Sequence, residues 1–153
     1  MSVEDRLKDL GMMLPDPPRP VATYNPAARS GNLLFISGQL PLVEGRLRKV
    51  GKVGSHFTLE EAQEAARRAT LNALAVIKQS VGSLDRVSQV VRLGVHVASA
   101  SGFTDQSRVA NAASELLISV FGDAGRHARL ALGPAELPLG APVEIELIVE
   151  VRD

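Results

Sequence analysis

The sequence predicts an α+β fold, with two helices packed on one face of a mixed β-sheet. Three observations predict it. A capped, alanine-striped segment over 58–82 has helical periodicity. A second helical segment follows over about 104–120. Two long alternating segments, 87–98 and 143–151, supply strands, and the second is the clearest strand in the chain.

The first element is a short helix. Ser2 is placed as its N-cap, Glu4 and Asp5 occupy its first turn, and Val3, Leu7 and Leu10 share one side. Pro15-Asp-Pro-Pro-Arg-Pro20 cannot be helix or central strand and reads as an arm. Residues 1–20 are therefore taken as a helix and arm, and 21–153 as one domain. Val21–Tyr24 is a short strand candidate, and Ala28–Asn32 a turn. Leu33–Ser37 is a strand apolar on both faces, after which Gly38-Gln39 opens a loop. Gly45 and Gly51 mark hairpin corners. Thr58-Leu-Glu-Glu61 is a capping-box pattern that starts the long helix, and Gly82 stops it after Val81. Ala62, Ala65, Ala66, Ala69, Ala73, Val76 and Ile77 form its apolar stripe, so it can lie close to the sheet.

Alternation puts Val87, Gln89, Val91, Leu93, Val95 and Val97 on one face of the next strand, with Ser88, Val90, Arg92 and His96 on the other. Arg126–Leu132 is a further strand. In the last one, Val143, Ile145, Leu147, Val149 and Val151 face one way, and Glu144, Glu146, Ile148 and Glu150 the other. Two helices cover one sheet face, yet Leu34, Ile36, Val90 and Ile148 put apolar groups on the opposite face. A second copy of the chain is the expected cover. Glu144 would then lie in a cleft between subunits.

Composition narrows function. The 153 residues suit one domain and are 45% hydrophobic, enough for a core. Lys+Arg and Asp+Glu both number 17. That balance argues against a nucleic-acid partner and against attraction to an anionic membrane surface. Four Phe, one Tyr and no Trp offer few platforms for stacking bases. The absence of cysteine excludes disulfides, thiolate nucleophiles and Cys-held metals. His56, His96 and His127 show no metal-ligand spacing, and no phosphate-binding glycine loop or nucleophile elbow is present. No apolar run reaches the roughly 20 residues of a membrane span, and the first residues lack a signal-peptide core, so a cytoplasmic location is expected.

Four segments carry a family resemblance: Asn32–Gln39 (NLLFISGQ), Gly82–Val87 (GSLDRV), Ala128-Arg129 followed by Leu137-Pro138, and Val143–Glu146 (VEIE). In order and at this spacing they resemble the RidA/YjgF family, also called the endoribonuclease L-PSP family, over about 19–152. The resemblance implies a chorismate-mutase-like fold and a homotrimer with clefts at the subunit interfaces. It also implies hydrolysis of enamines and imines derived from amino acids to 2-oxo acids and ammonia. The chain departs from familiar members in its N-terminal helix and arm, in one residue inserted around Leu139–Ala141, and in Ala131, where active members often have Cys. Residues 55–66 look like a divergent, longer branch.

The resemblance maps roles onto particular residues. Arg129 falls on the substrate-carboxylate anchor, a job suited to a planar guanidinium. Arg126 and His127 are its neighbours, the latter read as a packing residue. Glu144 falls on the water-orienting glutamate, whose carboxylate can direct a water and accept its proton. Tyr24, Ser37, Gly38, Asn111 and Ala131 fall on substrate-binding positions, Ala131 through its backbone only. The expected reading is an imine deaminase using Glu144 and Arg129, without cofactor or metal, acting on a small carboxylate. A non-catalytic carboxylate-binding trimer with a regulatory or partner-binding role is the alternative.

Overall fold

The computed structural model describes residues 1–20 and 23–153. Five strands form one sheet in the order β1-β2-β5-β3-β4: β1 Ala27–Ser30, β2 Leu33–Gln39, β3 Val87–Val97, β4 Ala128–Leu132 and β5 Val143–Val151. All neighbours are antiparallel except β3 and β4, which run parallel and make the sheet mixed. The helices are α1 Val3–Asp9, α2 Leu59–Val81 and α3 Gln106–Phe121.

The capping chemistry behaves as the sequence predicts. In α1 the Ser2 hydroxyl accepts from Asp5 N–H while the Asp5 carboxylate accepts from Ser2 N–H. Thr58 and Glu61 close the same box at the start of α2. Gly82 ends α2 at φ +91°, a left-handed conformation that a residue with Cβ adopts at a cost. The alanines of α2 then let it lie flat: Ala62, Ala66, Ala69 and Ala73 are fully buried. Ala65 is only half-buried and borders a groove instead. Helix α1 adds Val3 and Leu7 to the core and donates from Val3 N–H to Asp85 Oδ1, whereas Leu10 lies past the helix end, exposed.

Several expectations change. The Val21–Tyr24 strand is not present as such: Val21 and Ala22 lie outside the described residues, and Thr23 and Tyr24 form a bend. The first strand is instead Ala27–Ser30, which pairs back on Leu33–Ile36 around Gly31-Asn32. Strand β2 continues through Gly38-Gln39. The ladder steps from Ile36 opposite Leu147 to Gln39 opposite Ile145, so one extra residue bulges there. Strand β4 starts at Ala128, two residues late, because 122–125 form a tight 3-10 turn.

The largest correction concerns which face is which. Leu34 lies opposite Val149 and Ile36 opposite Leu147, and all four are buried beneath the helices. Val90 is also fully buried there, opposite Val149, and Val91 is turned outward. Two bulges in β3, between Val87 and Gln89 and between Val90 and Arg92, reverse the alternation that the sequence suggests. The open face is nevertheless apolar: Ile148 lies there as expected, and other residues join it. Phe35, Leu130 and Leu132 are 41%, 44% and 46% exposed, and Phe35 lies opposite Ile148.

Candidate active site in two halves

The residues expected to cooperate fall into two groups. The first is built by the β2 bulge. Tyr24, Ser37, Gly38 and Glu144 line one cavity of about 500 Å³ together with Pro18 and Arg19 of the arm. Where the ladder breaks, Gly38 lets the Glu144 side chain cross β2: a Cβ on Gly38 would lie 2.7 Å from Glu144 Oε2. The glycine is therefore a requirement of close approach within the strand. Ser37 Oγ donates to Asn25 O at 2.6 Å. Its proton is committed, and its hydroxyl is left to the ligand as an acceptor. Gln39 Nε2 donates to Ser37 O and stiffens the bulge from within. Tyr24, 43% exposed, stands at the same cavity.

Glu144 is half-buried on the open face, and burial is the largest cause that pushes its carboxyl above the usual carboxylate range. His96, its partner in the β3–β5 ladder, opposes the shift, and Glu146 adds to it. Glu146 itself is occupied. It accepts from Arg92 Nη1, and its second oxygen lies 3.8 Å from His96 Nε2. Glu144 thus has no ion-pair partner within 4 Å among the described residues, next to an acid that Arg92 already pairs. Glu150, further along the strand, accepts from the Ser88 hydroxyl.

The second group lies on the other side of the sheet. Arg129 is in register with Leu93, whose side chain is buried under the helices, while Glu144 is in register with His96, three residues on and on the opposite face. The Arg129 guanidinium donates to Asn111 Oδ1 at 2.8 Å and to Ser114 Oγ at 3.2 Å, both on α3. Ser114 Oγ is 2.8 Å from His127 Nε2, and His127 Nδ1 is 2.6 Å from Gly125 O. A carbonyl cannot donate, so Nδ1 carries the ring proton and Nε2 accepts from Ser114. His127 is therefore more than packing, because it fixes the serine that fixes Arg129. Sequence reading misses Ser114, although it sits one turn after Asn111 on the same helix face. Ala131 packs against the core on this side through a half-buried methyl group.

Arg129 and Asn111 are exposed in the single chain, on the β4 edge of the sheet. Within one chain, the two half-sites cannot face each other. Among the described residues no cluster of three or more His, Cys, Asp or Glu could hold a metal ion, and no helix is long and apolar enough to cross a membrane.

A five-stranded mixed sheet backed by two long helices, with an acid cavity at a β-bulge and an arginine anchored on its parallel edge, defines an α+β domain of the chorismate-mutase-like kind. The chain belongs to the family described as "YjgF/chorismate_mutase-like, putative endoribonuclease", whose model matches residues 4–151. That span reaches back into α1, beyond the 19–152 suggested by motifs. The chain is 43% identical over 152 residues to Protein TCP17 of Trypanosoma cruzi, covering 99% of this chain and 95% of the relative. A crystal structure of the protein Atu1372 from Agrobacterium tumefaciens, described as of unknown function, superposes with TM-score 0.90 at 43% identity, covering 98% of this chain and 92% of that one. A 2-iminobutanoate/2-iminopropanoate deaminase of Dermatophagoides farinae is 30% identical over 135 residues, covering 88% of this chain and 91% of the relative.

Proposed function

We propose that this protein hydrolyses small 2-imino acids, and their enamine tautomers, to 2-oxo acids and ammonia, as a homotrimer whose clefts join Glu144 of one copy to Arg129 of the next. One observation carries the reading. Glu144 is a half-buried, unpaired acid with a raised pKa, facing a cavity that Ser37, Gly38 and Tyr24 share. Its face is lined by exposed apolar side chains, which a neighbouring copy would cover. The deaminase relative supports the same chemistry.

The division of labour follows from the side chains. Arg129, pre-oriented by Asn111 and Ser114, binds the substrate carboxylate through two parallel N–H···O bonds. This places the C=N carbon at the Glu144 end of the cleft. Glu144 accepts a proton from a water as its oxygen bonds to that carbon, the C=N π electrons pass to nitrogen, and Glu144 returns the proton to that nitrogen. The resulting carbinolamine loses ammonia as its hydroxyl closes to the 2-oxo group. Water is the one co-reactant, because the imine carbon is already electrophilic. A carboxylate whose pKa burial has raised is a stronger base for this step than an ordinary one. The Ser37 hydroxyl, able to accept, suits the nitrogen's N–H.

Ammonia release from freshly generated 2-aminoacrylate is the test. The reading requires turnover well above the spontaneous rate, reduced about 100-fold in kcat/KM by Arg129→Lys, which keeps the charge and loses the fork. Rates equal to the uncatalysed ones over a series of imino acids would refute it.

A further inference from the structure

A second cavity, of about 520 Å³, lies on the other side of the 40–42 segment. Leu40 and Leu42 border the Glu144 cavity, while Pro41 borders this groove, between α2 and the 41–49 loop. Asn72 Nδ2 donates to the carbonyls of Leu40 and Leu42 and clamps that segment to α2, so the wall between the two spaces is fixed. Met12, Val43, Leu47, Phe57, Ala65 and Leu71 give the groove an apolar lining. Its size is in the range of small-molecule sites.

Four cations and two acids stand around this lining. Lys49 pairs with Glu61 at 2.9 Å and lies 4.7 Å from the centroid of the Phe57 ring; Arg67 pairs with Glu64 at 2.9 Å. That uses both acids. Arg48 and Arg68 have no carboxylate within 4 Å among the described residues, and Glu44, outside the groove, reaches Arg68 only at longer range. The Arg68 side chain is held in place because its Nε donates to Leu42 O at 2.9 Å. Burial, and then the charge of Arg48, hold its pKa below the ordinary arginine value. Two guanidiniums facing one apolar groove, mutually repelling and with no carboxylate paired to either among the described residues, are an arrangement that an anion relieves.

We infer that this groove is a second ligand site, for a small amphipathic anion whose carboxylate or phosphate head lies between Arg48 and Arg68 and whose alkyl body lies along Leu47, Phe57 and Leu71. The site is independent of the deaminase reading, since it uses none of the residues given to that chemistry. Calorimetric titration of the intact protein with octanoate, octyl phosphate and octanol tests it. The expected result is saturable binding of one anion per chain, at least tenfold tighter than octanol; which of the two anions binds more tightly identifies the head group. Arg48→Gln should weaken binding about tenfold. Arg48→Glu should abolish it and raise the melting temperature by about 1–2 °C, because it gives Arg68 the acid it lacks. Arg129→Ala, which removes the carboxylate anchor of the proposed cleft, should leave octanoate binding intact. Octanol binding as tightly as octanoate, no saturable binding of either anion, or full affinity in Arg48→Glu would overturn the inference.

Discussion

At the residue scale, the ionised Glu144 opposes folding. Burial raises its folded pKa above the unfolded value, so the folded chain holds the proton to higher pH. Below the unfolded pKa both states are protonated and there is no penalty. As pH rises through the folded pKa the penalty appears in full. Glu144→Gln should therefore melt about 1–2 °C higher than the wild type at pH 7, with the gap closing as pH falls toward 4. A gap that widens on acidification would contradict this. Thermal melts across pH check it, while ammonia release in the same variant should fall to background. The neighbouring Gly38 gives a complementary test. Gly38→Ala places a methyl 2.7 Å from Oε2, so the carboxylate must move, and turnover should drop about tenfold or more with a small loss of stability. The residue types at this site were legible as a resemblance. Their environments were not: neither the commitment of the Ser37 hydroxyl to Asn25 nor the chain from Arg129 through Ser114 to His127 can be read from spacing.

Elements were most legible where local chemistry decides them. The box at Thr58 and Glu61, the alanine stripe and Gly82 bound α2 without help from the rest of the fold. Thr58→Ala should cost about 1 kcal/mol, a fall of roughly 3 °C in melting temperature. Strand β3 shows the opposite case. Its two bulges arise from pairing with β5, so strict alternation misplaced Val90 and Val91. Leu34 and Ile36 were misplaced for a related reason: a strand apolar on both faces carries no phase of its own, and its register with β5 supplies one. Just before β5, Leu139 is an exposed side chain held at φ +61° and followed by Gly140 at φ +75°. Leu139→Gly should remove a left-handed penalty of about 1 kcal/mol and raise the melting temperature. A lower melting temperature would show that the leucine side chain holds a contact worth more than the strain.

For the whole molecule, the sheet separates the two groups that the proposed chemistry needs together. Glu144 is on the open face with Arg92, His96 and Glu146, and Arg129 is on the helix side at the β4 edge. Apolar surface without cover was legible in the sequence, although different side chains, Phe35, Leu130 and Leu132, provide much of it. Opposite placement of the two key residues within a chain was not legible, because it depends on β4 pairing parallel to β3 in one register. The proposed homotrimer would resolve the separation by drawing each cleft from two copies. Subunit complementation tests this most directly. Arg129→Ala and Glu144→Gln chains, each inactive alone, are unfolded together in equal amounts and refolded. If each cleft takes its arginine and its glutamate from different copies, about a quarter of the clefts in the mixture regain both groups, and ammonia release from 2-aminoacrylate returns to about a quarter of the wild-type rate. If the mixture stays as inactive as either variant alone, while wild-type chains refolded in parallel recover full activity, the shared-cleft account is wrong.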